Sequence, residues 1–129
     1  MIFSLTILSA PSAEASYSAY RFANALLLGG HSLYRVFFYH DGSYHGSHLN
    51  CPVQDEIDLS SEWRQLQEQY SLDIVICIAA GLKRGIIDSS EAIRYEKPSA
   101  NLIEGFELSG LGQLIDATVV SDRMMTFGA

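Results

Sequence analysis

Leu72-Asp73-Ile74-Val75-Ile76-Cys77-Ile78 is the stretch that decides the fold. Apart from Asp73 it is an unbroken run of β-branched and apolar residues, the pattern of a strand enclosed on both faces of a parallel sheet. Its polar alternative, a half-exposed strand, would alternate apolar and polar residues, and this one does not. Cys77 stands at its C-terminal end. Immediately beyond, Ala79 to Gly85 reads as a short helical turn carrying Lys83 and Arg84.

Upstream, Asp58 is placed to cap a helix carrying Leu59, Trp63, Leu66 and Tyr70 at helical spacing. Before it, Leu33 to Tyr39 is a second apolar and aromatic run, separated from that helix by a long loop over His40 to Ile57. Loops of that length in compact domains commonly serve function or partner contact. Ile2 to Leu8 is a third buried-strand pattern. It is followed by the Ser9-Ala10-Pro11-Ser12 turn and a helix whose Tyr17, Tyr20, Phe22, Ala23, Leu26 and Leu27 share a face up to Gly29-Gly30.

Downstream, Asp88-Ser89-Ser90-Glu91 has capping-box spacing for a helix running to about Lys97, where Pro98 breaks the pattern. A short fourth strand is expected around Phe106, a glycine-containing helix over Ser109 to Asp116, and a last strand over Ala117 to Phe127. Strands alternating with helices in this way predict one α/β domain over residues 1–129. Its expected form is a flavodoxin-like, mostly parallel sheet of about five strands with helices on both faces. Chemistry in such folds gathers beyond the carboxyl ends of the strands, so Ser9–Ser16, His40–Asp55 and Cys77–Arg84 are expected on one rim.

The chain has 129 residues, 48% of them hydrophobic, enough for one continuous core. With 8 Lys+Arg against 15 Asp+Glu it carries a formal charge of −7, which argues against direct contact with nucleic acid. Its apolar runs fall short of a membrane span, and the N-terminus lacks the basic region of a secretory signal, so a cytoplasmic location is expected. In a reducing compartment Cys51 and Cys77 are expected to stay unpaired.

Cys77 admits two readings. A helix N-terminus and nearby cations favour thiolate over thiol, and the thiolate is the nucleophile in sulfur exchange; a cysteine in an Ile-Cys-Ile run is nonetheless usually a small buried hydrophobe, and position by itself does not decide between them. His45-x-x-His48-x-x-Cys51, with His40 nearby, reads either as three zinc ligands short of the usual four or as a polar interface loop. Ser9, Ser12 and Ser16 suggest a phosphate cradle, and with it a flavin site, but lack a phosphate loop's glycines. A phosphoacceptor receiver is excluded, because Leu8-Ser9 and Cys77 occupy the positions where it needs acidic residues. Asp122 and Arg123 read as an ion pair near the rim or as a solvated strand face.

Taken in order, several blocks carry a family resemblance. Ile76-Cys77-Ile78-Ala79-Ala80-Gly81-Leu82-Lys83-Arg84-Gly85 is followed by Ser99-Ala100-Asn101-Leu102, Phe106, Leu108-Ser109-Gly110-Leu111-Gly112 and Ser121-Asp122-Arg123. Val36-Phe37-Phe38-Tyr39 with Gly42, and Asp55-Glu56-Ile57-Asp58-Leu59, precede them. Over nearly its whole length the chain resembles the TusD group of the DsrE-like sulfur-relay family. The resemblance implies a sulfurtransferase whose catalytic residue is Cys77, using neither cofactor nor metal. It also implies assembly with TusB-like and TusC-like subunits as a dimer of heterotrimers, sulfur received from a TusA-like persulfide donor, and delivery to a TusE-like acceptor for 2-thiolation of the tRNA wobble uridine. Related DsrE proteins use the matching cysteine in sulfur oxidation, and relatives without it serve as structural subunits. The resemblance assigns Cys51 no role.

Overall fold

The computed structural model describes residues 1–128, which form a five-stranded, all-parallel sheet in the order β4-β3-β2-β1-β5. In chain order the elements are β1 (Ile2–Ile7), α1 (Glu14–Leu28), β2 (Ser32–Phe38), α2 (Leu59–Tyr70), β3 (Ile74–Cys77), α3 (Ile78–Lys83), α4 (Ser89–Arg94), β4 (Glu107–Ser109), α5 (Gly112–Val120) and β5 (Arg123–Phe127). The register Leu5↔Val36↔Ile74 and Ile7↔Phe38↔Ile76 puts one set of strand residues on a common face. There they join Ala19, Ala23 and Leu26 of α1 and Trp63 and Leu66 of α2 in the main core. The alternate residues Ser4, Thr6, Arg35, Phe37, Val75 and Cys77 face the other way, toward α3 and α5.

The three leading strands and first two helices lie where the sequence puts them. Asp58 caps α2, its Oδ1 accepting from the Ser61 N–H at 3.2 Å. Asp88 caps α4 by accepting from the Glu91 N–H at 2.8 Å, the predicted capping position. α4 nevertheless ends at Arg94 rather than about Lys97, because Glu96 takes a left-handed conformation with φ 55° that closes the helix before Pro98. The C-terminal third needs a larger correction. Ala117-Thr118-Val119-Val120 reads as strand but completes α5, and β5 begins only at Arg123. Ala117 is fully buried against the sheet while Val119 is 78% exposed, a helical pattern of burial that overrides β-branched propensity.

The expected loop after β2 is also corrected. Its first part, His40–Gly46, is a 3₁₀ helix with Gly42, Ser43, His45 and Gly46 buried. It crosses the top of the sheet so closely that a Cβ on Gly42 would stand 2.1 Å from the Ile7 carbonyl oxygen, and one on Gly46 would meet Ile76 at 2.9 Å. Backbone on backbone leaves no room to yield at Gly42. Gly42→Ala is therefore expected to lower stability by about 2 kcal/mol or more, measured by denaturant unfolding, whereas Gly110→Ala, in open space, changes it little.

Candidate functional site

Ser9–Ser16, the 3₁₀ helix with its following loop, and α3 all leave the carboxyl ends of β1, β2 and β3, so the predicted rim is formed. Cys77 is both the last residue of β3 and the residue preceding the first turn of α3, and its side chain makes no capping hydrogen bond. The early N–H groups of α3 have no partner within the helix, as at any helix start. Cys77 is only 2% exposed. It lies in a small second core with Phe37, Val75 and Ala80, against which the half-buried Tyr39 and Leu114 pack.

The two cations near it differ. Lys83 is exposed at the end of α3, whereas the Arg84 Nε donates to Asp41 Oδ1 at 3.0 Å and its Nη1 to the Ala80 carbonyl at 3.1 Å. Arg84 thus braces the turn that carries Cys77 against the 3₁₀ helix. Asn101 accepts from the Ile87 N–H and donates to Ser47 Oγ, tying the 98–102 loop to the end of the 3₁₀ helix.

The histidine loop is not brought together. His45 is fully buried, stacked on Phe38 with ring centroids 4.5 Å apart, and its Nδ1 donates to the Gly42 carbonyl at 2.8 Å. His48 and Cys51 are exposed, and no group of three His, Cys, Asp or Glu is placed to hold a metal among the described residues. Cys51 lines a groove of about 310 Å³ with Pro11, Tyr44 and the start of α2, separate from the Cys77 patch. Both cysteines are free thiols. Ser16 is fully buried and its Oγ is engaged by Ser9 and Ala10, so the serine loop is a tightened turn and not a phosphate cradle. Asp122 exchanges hydrogen bonds with the backbone of Ile2 at the opposite end of the sheet, which removes it and Arg123 from the rim.

Two features escaped the sequence reading. Arg35, 7% exposed, bonds Asp73 through Nε at 2.8 Å, Asp116 through Nη1 at 2.9 Å and the Gln113 carbonyl at 2.8 Å, fastening α5 to the sheet at the amino end of β3. The signal was a charge inside the Leu33–Phe38 apolar run, which must find partners if buried. Tyr39, at the end of the Val36–Tyr39 run, packs on the same patch as Cys77, a position that no local sequence signal marks.

Residues 1–127 match the DsrE/DsrF-like family. The chain is 46% identical to DsrE of Allochromatium vinosum, over 99% of each protein. It is also 46% identical to the protein named sulfurtransferase TusD homolog of Pseudomonas aeruginosa, over 99% of this chain and 98% of that one. Among solved structures, the YchN protein of E. coli superposes with a TM-score of 0.75 at 20% identity, covering 98% of this chain and 97% of that one, a likeness of fold. No helix among the described residues is long and apolar enough to cross a membrane.

Burial disfavours the charged imidazolium and pushes the His45 ring down from 6.5 to about 4. The unfolded chain then binds a proton near pH 6.5 that the folded chain refuses until about pH 4. This contribution is complete above pH 6.5 and is lost as pH falls toward 4, about 3 kcal/mol in all. Urea unfolding of the parent should show that loss, and His45→Phe should flatten it.

Proposed function

The chain belongs to the DsrE/DsrF-like family, and we propose that it is a sulfurtransferase subunit carrying sulfane sulfur as a persulfide on Cys77. The observation that carries this reading is the placement of a free thiol where a fully enclosed strand opens into a helix at the rim of an α/β sheet. The relatives' name supports the reaction class, and Cys51, exposed in a separate groove, has no comparable setting.

The chemistry is thiol–persulfide exchange. The Cys77 thiolate attacks the outer sulfur of a donor persulfide, the new S–S bond forms as the old one breaks, and the donor sulfur leaves as a thiolate. In the second step the acceptor's thiolate attacks the outer sulfur on Cys77 and expels the Cys77 thiolate. Sulfur moves without net oxidation, so no cofactor is required. Both steps gain from whatever eases thiolate at the sulfur that attacks or leaves.

TusB-like and TusC-like chains are the proposed companions in a dimer of heterotrimers, a TusA-like protein the donor and a TusE-like protein the acceptor. The destination is the 2-thiouridine of tRNA, reached in the cytoplasm without direct contact with RNA. A charge of −7 suits protein carriers better than nucleic acid. A second reading, a DsrE-type subunit of sulfur oxidation, draws on the equal 46% identity to DsrE of Allochromatium vinosum and uses the same step on the same cysteine.

Radiolabelled sulfur on a TusA-like donor is expected to reach a TusE-like acceptor through this chain assembled with its companions. Cys77→Ser should abolish passage and Cys51→Ser should leave it within about twofold. Passage unchanged in Cys77→Ser would make this chain a structural subunit. Thiolated tRNA restored or not restored in a cell lacking the native subunit separates the two pathways.

A further inference from the structure

Resting on that reading, sulfur exchange demands an approach that the fold does not leave open. Three sulfur atoms must come into line, with the attacked bond about 2.05 Å long, yet Cys77 is 2% exposed. Something over it has to move. Around the thiol, Phe37 and Val75 belong to the interior at 0% and 1% exposure, and Ala80 is in the first turn of α3 at 7%. The half-buried hydrophobic side chains on this patch are Tyr39 and Leu114; Ser109, the partner of Cys77 on β4, is half-buried too but offers only a small hydroxymethyl group.

Leu114 is the less free of the two. It lies between Gln113 and Asp116, both of which Arg35 holds, through the Gln113 carbonyl at 2.8 Å and the Asp116 carboxylate at 2.9 Å. The Tyr39 backbone is held by Ile7 and Gly42, but its side chain makes no hydrogen bond among the described residues. Tyr39 follows β2 in extended backbone, one position beyond the Phe38↔Ile76 pair, so the register continued by one residue brings it level with Cys77, and its side chain packs on the cluster that holds the thiol. Its ring meets Phe37 edge-on at 6.2 Å and is covered by the imidazole of His40, parallel within 9° at 4.2 Å.

His40 reaches that position at a conformational cost, since its φ is 48°, a left-handed backbone that a side-chain-bearing residue adopts unfavourably. That turn folds the imidazole back onto Tyr39. The next residue, Asp41, is fixed by Arg84 at the end of the helix that Cys77 opens. The chain is thus pinned on both sides of a two-ring stack, at Phe38 in the core and at Asp41 on the brace.

We propose that Tyr39 is the lid of Cys77, closed by the stacked ring of His40, and that it swings outward to admit donor and acceptor and shields the persulfide between transfers. Tyr39 acts by positioning and exclusion and takes no part in bond-making. Opening against a ring-stack of this kind is a local fluctuation, separable from global unfolding.

The test is the rate of Cys77 alkylation by iodoacetamide in a Cys51→Ser background, with the lifetime of the Cys77 persulfide toward a small thiol as second readout. Tyr39→Ala is expected to raise alkylation about tenfold and shorten the persulfide lifetime in proportion. Tyr39→Phe, which keeps the ring, should restore both to within about twofold. His40→Gly removes the stack and relieves the left-handed strain, so it should speed alkylation while melting no lower than the parent; it decides the matter if Tyr39→Ala does not fold. Parent rates in His40→Gly together with either parent rates or misfolding in Tyr39→Ala would overturn the lid, as would acceleration by Leu114→Ala alone, which would assign the opening to α5. Alkylation reads access and not sulfur transfer. Failure of Cys77 to load sulfur while alkylation follows the lid pattern would sink the sulfur-carrier reading instead.

Discussion

Ile74–Cys77 is enclosed on both faces, and each of its residues is at most 2% exposed. Enclosure of that strand orders the rest of the molecule. One face requires α1 and α2, and the other requires α3 and α5, because apolar strand surface left open would forfeit roughly 25 cal/mol per Å². The strand also has to stop without stranding polar backbone. It does so by turning directly into α3 at Cys77, which brings a thiol to the meeting point of a strand end and a helix start.

The rim around that point is held by a few specific contacts more than by bulk burial. Gly42 and Gly46 let the 3₁₀ helix lie directly on the strand ends, Arg84 with Asp41 joins it to α3, and Asn101 joins it to the loop before β4. At the other end of the sheet, Arg35 collects Asp73, Asp116 and the Gln113 carbonyl. Its carboxylate partners are 39% and 49% exposed, so the value of this cluster lies in orienting α5 more than in raw stability. What it orients is Leu114, one wall of the Cys77 patch.

How much of this could be read from the sequence follows from the range of the interactions. β1 to β3, the caps at Asp58 and Asp88 and the rim position of Cys77 depend on local pattern, and the sequence displayed them. Ala117–Val120 misled because β-branched residues favour strands until a sheet face offers burial to a helix. The 3₁₀ helix was unreadable, since Gly42 is needed only when Ile7, 35 residues earlier, arrives beneath it. Arg35 announced a need for partners without naming them, as they lie 38 and 81 residues away. Cys77 as a sulfur carrier rests on family resemblance; its position alone better suits a small core residue.

Peptide mapping of the chain after loading from a persulfide donor is the most direct measurement. Trypsin separates the two cysteines, with Cys77 on the segment Gln65–Lys83 and Cys51 on Val36–Arg64. A sulfur carrier at Cys77 predicts a mass gain of one sulfur atom on Gln65–Lys83. The same gain on Val36–Arg64, or on neither, would contradict it.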